Sequence, residues 1–204
     1  MTFRELRYLI ASDVYRYHGR YSRALLLREC ALGFASKVAI WLRVAAYLKG
    51  RGWPFFPLYV VARLLHRRYC IRFGVEIPYS TQIGPGLYIG HYGAVVISSY
   101  ATIGRNCNLS QGVTVGVIGR GARAGAPRIG DNVYLGPGCK VIGGVSVGND
   151  VAVGANCVVT RDVPDHAVVV GVPGRVISMN GSEAYIHNAD YDARWRRRPT
   201  GSVG

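Results

Sequence analysis

His91 stands in the sequence LYIGHYGAVVI (residues 87–97), within a long stretch that is rich in glycine, valine and isoleucine. An imidazole titrates near neutral pH, so it can accept a proton from an alcohol, which is a poor nucleophile by itself. A histidine on a regular wall of small apolar residues can equally be a packing residue. The residues around His91 are therefore needed to distinguish a general base from a structural side chain.

The surrounding sequence repeats with a period of six residues. Short strands with one inward aliphatic each, joined by turns at Gly and Asn positions, would stack into a solenoid in which every coil buries its neighbour's apolar face. Such a pattern is far more specific than a single glycine motif. The aliphatic residues in this register are Ile77, Ile83 and Ile89, then Ile97, Ile103, Leu109 and Val115, and finally Ile129, Leu135, Val141, Val147, Val153 and Val159.

The six-residue register breaks at two places. Ile89 and Ile97 are eight residues apart, so two extra residues should bulge out beside His91. A longer break follows Val115, where residues 116–127 are predicted to leave the coil as a loop. Insertions in solenoids gather where binding occurs, and this favours the general base over the packing residue.

Residues 1–72 differ in kind from the repeats, because leucine, alanine, arginine and aromatic residues recur there at intervals of three and four. This spacing is typical of helices and predicts an α-helical N-terminal region. The repeat domain should then occupy residues 73–179. A polar, basic tail follows at 180–204, and we expect much of it to be mobile.

The apolar stretch 31–48 is interrupted by Lys37 and Arg43. A charge at the centre of a span costs about 2.5–3.5 kcal/mol on insertion into a membrane, so we expect no free-standing transmembrane helix. Basic residues beside aromatic ones such as Trp53 and Phe56 suit peripheral contact of the N-terminal helices with a membrane surface. Packing of these helices against the rest of the protein explains the same pattern.

The chain of 204 residues carries 25 Lys and Arg against 11 Asp and Glu, a net charge of +14 that attracts anions. Because the basic residues are dispersed and no recognition motif is present, we expect no nucleic-acid partner. The five cysteines show neither a CxxC pair nor metal-ligand spacing, which favours reduced thiols and no metal site. Since the N-terminus lacks a continuous apolar segment, we expect a cytoplasmic protein whose helices can reach the inner face of the membrane.

About residues 70–178 resemble the hexapeptide-repeat acyltransferases, a family with a left-handed parallel β-helix. The stretches that carry the resemblance are VEIPYSTQIGPGLYIGHYGAVVI, LSQGVTVG and GVPGRVI. They are similar to the serine acetyltransferase-like branch, and most closely to the O-acetyltransferases of colanic acid and other exopolysaccharides. The resemblance implies a mainly β fold with an α-helical N-terminal segment, and a homotrimer with active sites between subunits.

The resemblance also implies a set of site residues. His91 would be the general base of acetyl transfer from acetyl-CoA, and the carboxylate of Glu76, fifteen residues earlier, would orient it. The pantetheine arm of the donor would lie along turn positions, and nearby cations are candidates for its phosphates on charge grounds. The turn positions are Val117, Pro137 and Ala155, and the cations are Lys140, Arg128 and Arg175.

The acceptor is predicted from departures from the serine-specific pattern. Gly90 replaces an aspartate that helps to bind serine, and Gly125 and Ala126 replace an Arg-His pair. Since a zwitterion needs charged partners, we expect a carbohydrate acceptor, either a polysaccharide or its lipid- or nucleotide-linked precursor. The alternatives are a serine O-acetyltransferase of cysteine biosynthesis and a non-catalytic trimeric scaffold. A zinc hydratase of the γ-carbonic anhydrase type would need three histidines, and the repeats with their closing turn offer only His91 and His166.

Overall fold

The computed structural model describes residues 1–196 of the chain, and the last part of the predicted tail, 197–204, lies outside the described residues. Helices make up most of the N-terminal region, and two short helices lie near the C-terminal end of the described residues. Within this part of the chain, no helix combines the length and the apolar character that a membrane span requires. The helices are α1 (Phe3–His18), α2 (Arg23–Leu32), α3 (Ala35–Leu48), α4 (Phe56–Phe73) and α5 (Tyr191–Arg196), with short 3₁₀ helices at Trp53–Phe55 and Glu183–Tyr185.

The repeats form a prism of three sheets, in which each coil contributes one short strand to each sheet. The first sheet has the order β1-β4-β7-β10-β13, the second β11-β8-β5-β2 and the third β15-β14-β12-β9-β6-β3. All pairs are parallel except β14 with β15, which closes the solenoid. The strands are β1 (Val75–Glu76), β2 (Gln82–Ile83), β3 (Tyr88–Ile89), β4 (Val95–Ile97), β5 (Thr102–Ile103), β6 (Asn108–Leu109), β7 (Thr114–Gly116), β8 (Arg128–Ile129), β9 (Tyr134–Leu135), β10 (Lys140–Ile142), β11 (Ser146–Val147), β12 (Ala152–Val153), β13 (Val158–Val159), β14 (Val168–Val170) and β15 (Arg175–Ser178).

The interior of the prism is filled by the aliphatic residues of the six-residue register, which confirms the predicted mainly β solenoid with a helical N-terminal region. Leu109, Leu135 and Val141 have no exposed surface at all. Small residues fill the remaining space, among them Cys107, whose buried thiol has its pKa raised to about 12 by desolvation. Because each coil covers the apolar side chains of the next, the stack is the core.

The turns of the prism are built by residues that tolerate a left-handed backbone. Asn106, Asn132 and Asp150 each have φ of 56° and lie one above another. The Asn106 amide donates to the side-chain oxygen of Asn132 (2.8 Å), and the Asn132 amide donates to the Asp150 carboxylate (2.9 Å). Asn and Asp adopt this conformation more readily than other non-glycine residues, so the ladder sets the corner of each coil.

A buried ion pair fastens the N-terminal helices to the first coil. Asp13 of α1 and Arg43 of α3 are 2% and 3% exposed, and Arg43 Nε donates to the Asp13 carboxylate at 3.0 Å. The Leu87 amide also donates to Asp13 (2.8 Å), and Arg43 donates to the backbone carbonyls of Ile83 and Gly84. Asp13 is therefore a structural residue, and Arg43 interrupts the apolar stretch of α3 because it binds the solenoid.

The first part of the tail packs against α1 and the coils. Tyr191 is 4% exposed, and its hydroxyl donates to the Asn106 side chain at 2.6 Å. The ring of Tyr185 stacks on Tyr134 with centroids 4.3 Å apart. The segment thus covers the asparagine corner that would otherwise face solvent.

Candidate active site

The predicted bulge beside His91 exists, and glycine allows it to form. Between β3 and β4 the chain turns through Gly93 (φ 109°) and Ala94 (φ 52°), conformations that are easiest for glycine. The Gly93 amide donates to the carbonyl of Phe73 (2.9 Å), and its own carbonyl accepts from the amide of Gly112 (2.9 Å). The bulge is therefore held from both sides, and it presents His91 at an exposed corner of the prism.

His91 opens into a cleft of about 390 Å³ between the solenoid and the N-terminal helices. Tyr17 of α1 forms one wall, and its hydroxyl accepts from the amide of Ile89 (3.0 Å) and donates to the carbonyl of the same residue (3.2 Å). Tyr92 and Phe34, whose ring centroids are 6.0 Å apart, form another wall. Within residues 1–196 the His91 side chain takes part in none of the hydrogen bonds or ion pairs, so no protein group engages its imidazole.

The cleft also contains two charged residues of α2 that the sequence reasoning missed. The carboxylate of Glu29 is 8% exposed and fixed in place, since it accepts from Ser36 Oγ at 2.5 Å and lies 2.9 Å from His18 Nε2. Arg28 is exposed and lines the same cleft. None of the ion pairs formed within residues 1–196 involves Arg28. The cleft thus offers a fixed carboxylate and an available guanidinium beside the imidazole.

The structure of a single chain does not bring Glu76 into contact with His91. Glu76 lies in β1, paired in register with Val96, and its exposed side chain lines a separate groove between α4 and the first sheet. Within the described residues, no ion pair joins the two side chains. Their pairing stays a prediction.

Two of the predicted donor-binding turns lie on the same edge of the prism as His91. The Gly112 turn, which bonds to the bulge, is followed along this edge by the turns of Pro137 and Ala155. There the amide of Asn156 donates to the carbonyl of Pro137 at 2.8 Å. Pro137 is half-buried and Ala155 is exposed, so this edge provides a continuous backbone surface leading away from His91.

The other predicted donor-binding residues are spread over the prism. Lys140 is on the first sheet, and its amine donates to the carbonyl of Gly112. Arg128 lies on β8 of the second sheet and Arg175 on β15 of the third, both exposed. Val117 follows β7 at the corner between the first and second sheets. The three cations therefore do not converge on one phosphate site within a single chain.

The loop after β7 folds back on the solenoid as a small hairpin. Ile118 and Gly125 pair as an antiparallel bridge, in which the Gly125 amide donates to the Ile118 carbonyl at 2.8 Å. A Cβ atom at Gly125 would lie 3.2 Å from the Cα atom of Gly144, and φ is 134° there. The glycine at this position therefore has a backbone role, and its lack of a charged side chain does not by itself report on the acceptor.

Comparison with known proteins points to one group. Residues 126–161 match the family model described as bacterial transferase hexapeptide (six repeats). The chain is 40% identical over 152 residues to a serine acetyltransferase of Synechococcus elongatus and 38% identical over 157 residues to one of Bacillus pumilus. These alignments cover 74% and 76% of this chain, but 59% and 70% of the respective relatives.

Solved structures give the same result for the fold. A serine acetyltransferase of Brucella abortus in complex with coenzyme A superimposes with a TM-score of 0.72 at 26% identity, covering 88% of this chain and 70% of that chain. A serine acetyltransferase in complex with cysteine gives a TM-score of 0.70, also at 26% identity, over 86% and 71% of the two chains. These matches confirm the predicted left-handed β-helix with N-terminal helices.

The predicted carbohydrate acceptor is wrong, because relatives at 36–40% identity over most of the chain are named serine acetyltransferase. Neither the closer likeness to colanic acid enzymes nor a role in polysaccharide biosynthesis gains support. The prediction rested on Gly90, Gly125 and Ala126 and took no account of the charged residues of α2 that line the same cleft as His91.

Proposed function

Because the chain belongs to the hexapeptide-repeat transferase family, among relatives named serine acetyltransferase, we propose that it transfers an acetyl group from acetyl-CoA to the hydroxyl of L-serine. The observation that carries the proposal is the cleft in which the His91 imidazole stands beside Arg28 and Glu29. Relatives that are named for this reaction support the same acceptor and donor.

The reaction needs a base and a route for one proton. His91 takes the proton from the serine hydroxyl as the oxygen attacks the thioester carbonyl, and the imidazolium then returns it to the departing sulfur of coenzyme A. The products are O-acetylserine and free coenzyme A. A positioned base of this kind contributes roughly 10²- to 10⁴-fold to the rate.

The charged groups of the cleft match a zwitterion. Arg28 binds the carboxylate of the amino acid through charge-assisted hydrogen bonds, and the fixed carboxylate of Glu29 faces the ammonium group. Tyr17 and Tyr92 line the cleft on either side of His91, and its volume of about 390 Å³ holds an amino acid. Recognition of serine therefore depends on α2 and not on the loop after β7.

The donor site extends along the edge of Pro137 and Ala155, where backbone groups follow one another away from His91. In our proposal the protein is a homotrimer, and the prism of a neighbouring protomer forms the second wall of this site. Val117 and Arg128, which lie away from the His91 edge, act from that neighbour. Glu76 orients His91 after a side-chain movement, since its carboxylate points into a different groove in the single chain.

The proposal is tested by following release of coenzyme A with a thiol reagent. The wild type should release it rapidly with L-serine, and His91→Gln should be slower by 10² or more because the base is lost. Glu76→Gln should lower kcat and leave KM for serine unchanged if Glu76 acts on the base alone. A wild type without serine-dependent release would overturn the proposal and favour the non-catalytic scaffold.

The role of Arg28 has its own test, in which ethanolamine replaces serine because it keeps the hydroxyl and the amine but lacks the carboxylate. Arg28→Gln should raise KM for serine about tenfold, the low end for a charge-assisted hydrogen bond, since the guanidinium is exposed. Activity with ethanolamine should not change. Arg161→Gln, at an exposed turn far from the cleft, is the matched control. If Arg28→Gln lowers activity equally with serine and with ethanolamine, Arg28 does not bind the carboxylate of the acceptor.

A further inference from the structure

Helix α4 carries an exposed apolar stripe opposite its buried face, and Leu64 and Ile71 of this stripe also line the groove between α4 and the first sheet. Its buried residues are Ala62, His66 and Phe73, as expected for the inner face of a surface helix. On the opposite face, Leu64 and Ile71 are 61% and 71% exposed. Exposed apolar residues also include Leu58, Val60 and Val61. Helix α4 thus has two apolar faces. Only one of them packs against the protein, so the other is left for a partner.

Arginines border this stripe on both sides. At 100° per residue, Arg63 and Arg67 lie along one side of the line through Leu64 and Ile71, and Arg68 lies along the other. All three arginines are exposed. Long basic side chains in this arrangement can extend sideways to phosphate groups while the stripe between them enters an apolar layer.

Aromatic residues continue the exposed surface at the start of α4. Trp53 is 83% exposed, and Phe55 and Phe56 are 42% and 50% exposed. The rings of Trp53 and Phe56 are stacked, with centroids 6.0 Å apart. Tryptophan beside basic residues is typical of protein segments that lie at the boundary between lipid headgroups and acyl chains.

The charge around this surface is mostly positive, with the exposed carboxylate of Glu76 at the edge of the groove beside α4 as the exception. Between Glu29 and Glu76 the sequence contains no Asp or Glu, whereas Lys and Arg recur throughout the segment. Arg43 is neutralised by Asp13 inside the protein. The remaining cations of the segment are Lys37, Lys49, Arg51, Arg63, Arg67, Arg68 and Arg72. Such a surface is complementary to a dense layer of negative charge.

We propose that the surface formed by residues 53–72 docks on an anionic lipid bilayer, with the stripe of α4 and Trp53 inserted at the headgroup level and the arginines bound to lipid phosphates. No helix of the described chain can cross a membrane, and the contact is therefore interfacial. His91 lies in a different cleft, whereas Glu76 lines the groove beside α4, so the docking surface is separate from the proposed base but adjoins Glu76.

The test uses the full chain and vesicles of phosphatidylcholine, either pure or with one third phosphatidylglycerol, in a flotation assay. The protein should float with the anionic vesicles, and binding should weaken between 50 and 300 mM salt, since screening shortens the reach of the charges. Binding to neutral vesicles should be at least tenfold weaker. Equal binding to both kinds of vesicle, or to neither, would overturn the proposal.

Charge variants separate this surface from the net charge of the protein. The double variant Arg67→Glu with Arg68→Glu should weaken binding to anionic vesicles by about 25-fold or more, since each basic residue near the surface contributes about fivefold. Arg120→Glu with Arg161→Glu makes the same change of net charge at exposed positions outside residues 53–72 and is the matched control. If both double variants lose vesicle binding equally, the binding depends on net charge alone and the proposal is wrong.

An apolar variant tests insertion and the rival occupant. Leu64→Glu should weaken vesicle binding at least tenfold, whereas Ile177→Glu, which changes a residue of β15 with 62% exposure, should not. Both positions are exposed, so circular dichroism should show an unchanged fold for each variant. The molar mass of each variant in solution is measured by light scattering. If Leu64→Glu lowers the molar mass and leaves vesicle binding unchanged, the stripe is an interface between copies of the chain and the proposal is wrong.

Discussion

His66 should make the stability of the protein sensitive to mild acid. The residue lies on the inner face of α4 and is 6% exposed, with its Nε2 atom 3.4 Å from the thiol sulfur of Cys70. Burial lowers the pKa of His66 to about 4, because the charged imidazolium would lose its hydration. The groove beside it contains two cations, Arg63 and Arg67, and the carboxylate of Glu76.

The size of the effect follows from the two pKa values. In the unfolded chain a histidine has a pKa of about 6.5, and at pH 5.0 its protonated form therefore exceeds the neutral form about 30-fold. In the folded protein only about one tenth of His66 is protonated at that pH. The unfolded state binds more protons, so stability is lost as pH falls from 6.5 towards 4, by about 2 kcal/mol at pH 5.0 relative to pH 7.5.

The assay is urea unfolding at pH 7.5 and pH 5.0, at one protein concentration, for the wild type and His66→Gln. Glutamine does not titrate, so the variant should lose about 2 kcal/mol less of its free energy of unfolding between the two pH values. His187→Gln, which changes an exposed histidine, should retain the acid sensitivity of the wild type. If His66→Gln shows the full wild-type dependence on pH, His66 is not held neutral by burial.

Three further substitutions test the packing of the solenoid and its helices by urea unfolding. Arg43→Met leaves the buried carboxylate of Asp13 without its partner and should lower the free energy of unfolding by about 3–5 kcal/mol. Leu109→Ala creates a cavity in the fully buried stack and should cost about 2–5 kcal/mol. Gly136→Ala places a Cβ atom 2.6 Å from the carbonyl oxygen of Val153 in the next coil, and relief of this overlap should cost about 1–3 kcal/mol.

Matched variants show whether these losses come from the named contacts. Ile177→Ala removes a similar aliphatic side chain at an exposed position of β15 and should change stability by less than about 0.5 kcal/mol. Gly119→Ala adds a methyl group where a Cβ atom would meet nothing within 4 Å. Should Gly119→Ala and Gly136→Ala cost the same, close approach of the coils would not be the cause.

The solenoid was predictable because its information is local. Every coil follows the same six-residue pattern. The burial of Leu109 and Val141 can therefore be predicted from the residues next to them in sequence. The bulge was predictable for the same reason, since the eight-residue spacing between Ile89 and Ile97 shows the break in the register beside His91. The hand of the helix came only from the family resemblance, because a period of six does not distinguish a left-handed from a right-handed coil.

The cleft beside His91 was not predictable from spacing, because its parts are far apart in sequence. Arg28 and Glu29 lie beside His91 because α1 and α3 pack on the first coil, where the buried pair of Asp13 and Arg43 and further hydrogen bonds of α1 hold them. No periodicity in the sequence says over which corner of the prism a helix will lie. The contacts of the tail were not predicted for the same reason, since they join residues far apart in sequence.

The same geometry links stability to acceptor recognition. The solenoid forms only one side of the cleft at His91, and α2 forms the opposite wall. Helix α2 is held in place by its packing against α1 and α3. A change at the pair of Asp13 and Arg43 should therefore raise KM for serine even where the coils stay folded, because Arg28 would lose its position while His91 would keep its own. Since the bulge at His91 is fixed by backbone bonds within the solenoid, kcat should fall less than KM rises. Under the proposed function, the N-terminal helices determine which alcohol reaches His91, and the solenoid determines where His91 stands.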